Sequence, residues 1–138
     1  MRRQIIIDNL KNRLKTIEWK PNLFEWLVSP LSPSDLPAII LKDTDDQVDS
    51  EQASGSSSHS LKIEILLFVS DEALTPKSLR EKILDVLVVI GKESAEGEDL
   101  GDYISFDSVE IDFEHQDQMV GMAQIEVTIK YYTEKWSI

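Results

Sequence analysis

A chain of 138 residues, 41% hydrophobic and 29% charged, has the length of one domain and the means to bury one core. It has no cysteine, which excludes a disulfide framework, a thiolate nucleophile and a cysteine metal cage, and its net charge of −12 opposes binding to phosphate polyanions. The opening MRRQIIIDNLKNRLKTI lacks the apolar centre of a signal peptide, and no run approaches the roughly 18 apolar residues of a membrane span, so a soluble cytoplasmic protein is expected.

Ile6, Leu10, Leu14 and Ile17 recur at steps of four, four and three, which predicts an amphipathic helix over residues 3–18, stopped by Pro21. Lys11, Arg13 and Lys15 suit the negative end of its dipole and read as solvent-facing charge. Phe24, Trp26 and Val28 alternate in a short strand over 22–28. The stretch SPLSPSDLP, with three prolines, then excludes regular structure before a second strand over 38–42. Residues 43–60, DTDDQVDSEQASGSSSHS, carry five carboxylates (Asp43, Asp45, Asp46, Asp49, Glu51) and almost nothing to bury. That composition predicts a flexible, solvated acidic loop projecting from the sheet.

Leu61, Ile63, Ile65, Leu67 and Val69 alternate with Lys62, Glu64, Leu66 and Phe68, as in a central strand partly covered on both faces. Thr75 followed by Pro76 is a hydroxyl cap with proline at the first helical position. Leu79, Ile83, Val86, Leu87 and Ile90 keep helical spacing from there to Gly91. An acidic loop covers 92–102. Ile104 and Phe106 are out of phase by one with Val109, Ile111 and Phe113, so a β-bulge is expected near Asp107 or Ser108. After a turn at His115–Gln118, Ala123, Ile125, Val127, Ile129 and Tyr131 complete a long hairpin. The order α-β-β-β-α-β-β predicts an α+β fold: a mainly antiparallel sheet of four to five strands with two helices packed on its apolar face, as a single domain over 1–138.

Chemistry is sparse in this pattern. His59 and His115 are the only histidines, one in the acidic loop and one in a turn, and neither has a nucleophile at a recognisable spacing. No G-x-S-x-G occurs, and Ser56–Ser58 lie in low-complexity sequence that cannot hold catalytic geometry. Asp43, Asp45 and Asp46, or Glu96, Glu98, Asp99 and Asp102, lack the spacing of a calcium loop and read as solvated charge. Glu110, Asp112 and Glu114, about 7 Å apart along one strand, read as a wet sheet face opposite Gln124, Glu126, Thr128 and Lys130. No nucleotide or zinc motif is present, so no catalytic residue, cofactor or metal site is expected.

What remains is surface for protein partners. Met119, Met122, Tyr132 and Trp136 are candidate subunit contacts, methionine and aromatics being common at interfaces. Trp136 fits equally a terminal plug folded back on the sheet. Charge is also segregated: residues 1–20 carry six basic and two acidic side chains, +4, while 21–138 carry eight and twenty-four, −16. A small metal-dependent enzyme using the acidic loops, or a monomeric adaptor with a serine-rich arm, stands as the alternative.

A basic N-terminal helix, strands split by a long polar loop, a helix beginning TPKSLREKILDVL and a final long hairpin resemble the tail terminator (tail completion, minor tail protein U-like) proteins of long-tailed bacteriophages, over almost the whole chain. The resemblance implies a structural subunit, from a phage or prophage, that assembles in the cytoplasm into the virion. It implies a hexameric ring that caps the tail tube and joins it to the head. The partners are then other copies of the chain and the tail tube and head-connector proteins, with DNA a passing polymer and no membrane. Asp43, Asp45, Asp46, Asp49 and Glu51 would line the lumen or form an assembly loop.

Overall fold

Two alternating runs, 61–69 and 123–131, lie side by side at the centre of the molecule and set the architecture. The computed structural model describes residues 1–26, 30–52, 55–70, 74–115 and 119–138, the side chains of His115 and Met119 excepted. The elements are α1 (Arg2–Leu14), β1 (Asn22–Glu25), a 3-10 turn (Pro33–Asp35), β2 (Ala38–Glu51), β3 (Ser56–Ser70), α2 (Pro76–Gly91), β4 (Tyr103–His115) and β5 (Met119–Glu134). The fold is α+β. One five-stranded sheet runs in the order β1-β2-β3-β5-β4, antiparallel except where β1 lies parallel to β2.

Alternate residues of the three middle strands face the helices. Ile39 and Leu41 of β2, Leu61 to Val69 of β3 and Ala123 to Tyr131 of β5 form one cluster with Ile6, Leu10 and Leu14 of α1 and Leu79, Ile83, Val86 and Ile90 of α2. Burying each such aliphatic side chain contributes about 1.5–3 kcal/mol. Helix α2 begins as its sequence requires. The Ser78 N–H donates to the Thr75 hydroxyl at 3.1 Å and the Thr75 N–H to the Ser78 hydroxyl at 2.9 Å, a reciprocal cap with Pro76 at the first helical position.

Helix α1 stops four residues before its expected end. Thr16 and Ile17 donate three residues back, to Arg13 and Leu14, and the Thr16 hydroxyl takes the Arg13 carbonyl at 2.6 Å. The side chain thus competes with the backbone, while Ile17 stays buried in the tightened turn. Strand β1 ends at Glu25, where Trp26 turns to φ 45°, and residues 27–28 of the expected strand lie outside the described residues. The bulge falls where the phase slip puts it, at Asp107, between the pairs Phe106–Val127 and Ser108–Glu126. The expected turn at 116–118 lies outside the described residues.

The largest correction concerns residues 43–60. Residues 43–51 and 56–60 are strand, since β2 runs to Glu51 and β3 starts at Ser56, so the described part of the acidic segment is the outer half of a β-hairpin. Ser57–Ser60 pair on both sides, with Glu51–Gln47 and with Thr133–Lys130, making a three-stranded ribbon. Register shifts at Asp43/Asp45 and Val48/Ser50 bulge it. A composition rule for free chains fails here because β5 offers a second ladder and the carboxylates find cations, as described below.

Gly101 shows why the loop before β4 is close-fitting. At φ +78°, a Cβ there would come within 2.5 Å of the Ile129 side chain and 2.7 Å of the Lys130 carbonyl. Only glycine lets the loop lie this near β5.

Candidate functional site

The base of the hairpin holds a buried polar cluster. His59 is 2% exposed, stacked on the Tyr131 ring at 4.5 Å, with Nδ1 at 3.1 Å from Asp46 and Nε2 at 2.8 Å from the Thr133 hydroxyl. Asp46 also accepts from the Tyr131 hydroxyl and, at 3.1 Å, from Arg3. Burial, followed by the bond to Asp46, pushes the Tyr131 phenol well above its ordinary range. The sequence hid this cluster: His59, Asp46 and Thr133 are distant in the chain and meet only because β3 lies between β2 and β5.

Thr133, His59 and Asp46 fall in the order nucleophile, base and orienting acid. The surroundings oppose that chemistry. Arg3 and Tyr131 occupy Asp46, and the Thr133 hydroxyl also reaches the Ser137 carbonyl at 3.3 Å. The amides beside His59 are engaged in ladders with β2 and β5, so they cannot serve as oxyanion donors. The cluster acts as a clasp between α1 and the hairpin.

Charge segregation along the chain has the same explanation. Arg2 binds Asp99 at 2.9 Å and Asp102 at 3.4 Å, Arg3 binds Asp46 and Asp43, and Lys11 lies 3.6 Å from Glu25. Arg13, expected on the solvent face, is instead buried. Its guanidinium donates to the carbonyls of Val89, Ile90, Lys92 and Glu93 and meets Glu98 through two nitrogens, at 2.7 and 3.1 Å. It therefore satisfies the orphan carbonyls at the end of α2, where a cation is favoured. These bonds hold the Glu98 and Asp99 carboxyls below the usual carboxylate range, through Arg13 and Arg2 respectively. The basic helix is thus matched to the chain's own acids.

The expected lumen carboxylates are largely engaged. Asp43 meets Arg3 and the Trp26 indole, Asp46 lies in the clasp, and Glu51 is 3.9 Å from Lys135. Asp49 accepts from Ser60 and Lys130, which hold its carboxyl below the usual range. Asp45 is exposed, opposite Lys62 in register, and has no ion pair among the described residues. Nor does any group of three or more His, Asp or Glu side chains gather for a metal among those residues.

Of the expected contact residues, Met122 is half-buried on the sheet face away from the helices, and the Met119 side chain lies outside the described residues. Tyr132 is 53% exposed and Trp136 90% exposed, so the indole is no plug. Trp136 shares a cleft at the hairpin end with Val48 and Ile138, both exposed, whereas Tyr132 alternates with the inward Tyr131 and lies on the other face of the sheet. A second group lies elsewhere. The helices cover β2, β3 and β5 but stop short of β4, leaving Phe106, Val109 and Ile111 exposed on the helix side of an edge strand. Sequence periodicity placed those three correctly on the inner face, yet could not show that nothing lies over them. Between α2 and β4 an open groove of about 580 Å³ is walled by Leu87, Ile90, Leu100, Ile104 and Phe106.

No protein-family model matches the chain, and no curated protein matches it either.

Proposed function

We propose that the protein is a structural assembly subunit that closes into a ring by head-to-tail contact, a hexamer that caps a phage tail tube and joins it to the head. One observation carries the self-assembly: two separate exposed apolar groups of different make-up, one on β4 and α2, the other at the hairpin end and C-terminal tail. A head-to-tail ring needs two unlike, complementary patches on each copy, whereas a two-fold dimer needs one. The long free edge of β4 carries Glu110, Asp112 and Glu114, the charges that discourage indiscriminate edge pairing. Tail and head as the partners come from the resemblance in element order. With four of its five carboxylates already paired, the acidic hairpin supports a shaped contact better than a lumen lined by free charge.

Sedimentation velocity over a concentration series, followed by electron microscopy of the largest species, tests the reading. Closed rings are expected, and Phe106→Asp is expected to abolish them without unfolding the chain. A wild-type protein that stays monomeric up to millimolar concentration overturns it.

A further inference from the structure

Trp136 is not a frayed end. The Lys135 N–H donates to the Gly55 carbonyl at 2.7 Å, the Ser137 carbonyl accepts from the Thr133 hydroxyl at 3.3 Å, and the Ile138 carbonyl accepts from the Arg2 N–H at 3.1 Å. The tail is tied down on both sides of the tryptophan, which sits at φ +63°, a conformation that a bulky residue adopts only under local constraint. Its indole nevertheless stands 90% exposed. The cleft beside it is lined by Arg3, Asp46, Glu51 and His59 together with Val48 and Ile138, and the ring stands out from it rather than filling it. With its backbone already fixed, an outward indole has only two side-chain torsions to order when it binds, which suits an interface anchor.

The α2/β4 groove has the matching character. It is apolar along Leu87, Ile104 and Phe106, and its rim carries Glu93 and Asp102, the latter also meeting Arg2 at 3.4 Å, beside Lys92. These rim side chains are acidic on balance, opposite in sign to the Lys135 that adjoins the indole. Lys135 is half-exposed and only loosely paired, 3.9 Å from Glu51, so it can change partner at small cost. The indole does not lie in the groove of its own copy but borders the cleft of Arg3, Val48 and His59. Tyr103 at the groove mouth pairs with Lys130, and Glu134 lies four residues farther along β5, about 13 Å at the usual strand rise.

We infer that Trp136 of one copy seats in the α2/β4 groove of the next, with Lys135 against Glu93 and Asp102. This rests on the head-to-tail ring proposed above and names its central contact. A buried tryptophan removes about 150–250 Å² from water, a fraction of the 1,200–2,000 Å² or so that a stable interface buries. Trp136 thus fixes direction and register, while Val109, Ile111 and the rest of the β4 face supply area.

The absence of cysteine gives a clean test. Ser94 lines the groove and Ser137 follows the indole, and both are exposed. Ser94→Cys and Ser137→Cys proteins are treated, separately and mixed, with a short bis-maleimide, beside sedimentation of the untreated wild type. The expected result is covalent dimer in the mixture, none from either variant alone, and a ladder from the double variant. Adding Trp136→Ala is expected to remove the cross-link and weaken association at least about 30-fold, with Trp136→Phe retaining most of it. Rings that form without the cross-link, or that survive Trp136→Ala, overturn this contact and leave the ring reading standing. A wild type that never associates overturns both.

Discussion

Arg13 shows how one side chain joins two elements. It belongs to α1 yet spends its donors on the last carbonyls of α2 and on Glu98, groups that would otherwise lie unsatisfied under the first helix. Removing it strands those carbonyls and a nearby carboxylate, so Arg13→Ala is expected to cost about 3 kcal/mol or more, measured by urea unfolding. Arg13→Lys restores the charge but not the fork, and is expected to recover only part of the loss. A Lys variant as stable as the wild type would mean that the aliphatic stem and the charge, and not the fork, are what matter. Helical spacing in the sequence put Arg13 opposite Leu10 and Leu14 in character, and the wheel has no way to report a second helix end arriving from above. His59 is the same case: its neighbours in the chain are serines, and its partners come from β2 and β5.

At the scale of elements, periodicity located both helices, the central strand, the final hairpin and its bulge, because each depends on residues close in sequence. The acidic hairpin was illegible for the converse reason. Its strands are held by ladders to β5 and by cations on α1 and β5, none of which lies within its own eighteen residues. Helix α1 is in turn held to the loop before β4 by Arg2–Asp99 and Arg13–Glu98. Both carboxyls have folded pKa values below the ordinary range near 4, so their stabilisation is complete above that range and is lost as pH falls through the lower folded values. The melting temperature is expected to hold from about pH 7 to 5 and to drop as pH falls below about 4, and Glu98→Gln is expected to flatten that drop. A variant as steep as the wild type would place the acid sensitivity elsewhere.

For the whole molecule, the excess of acid is what copies of the chain must overcome to meet. Each carries −12, and the patches proposed to join them are apolar. Raising salt shortens the screening length from about 10 Å at 0.1 M to about 3 Å at 1 M, so association is expected to strengthen with salt, read as a falling dissociation constant in sedimentation. Weakening would point to ion pairs as the driving contacts. The apolar face of β4 was legible as an inner face, but whether a face is covered is a property of the finished packing. The central register has one more consequence. Strand β3 meets β5 in fifteen consecutive pairs, Ser56–Glu134 to Ser70–Val120, with α2 and β4 made in between. On a ribosome, β3 is therefore left with one side open until Val120–Glu134 has emerged, and the sheet closes as a late, long-range event rather than growing strand by strand.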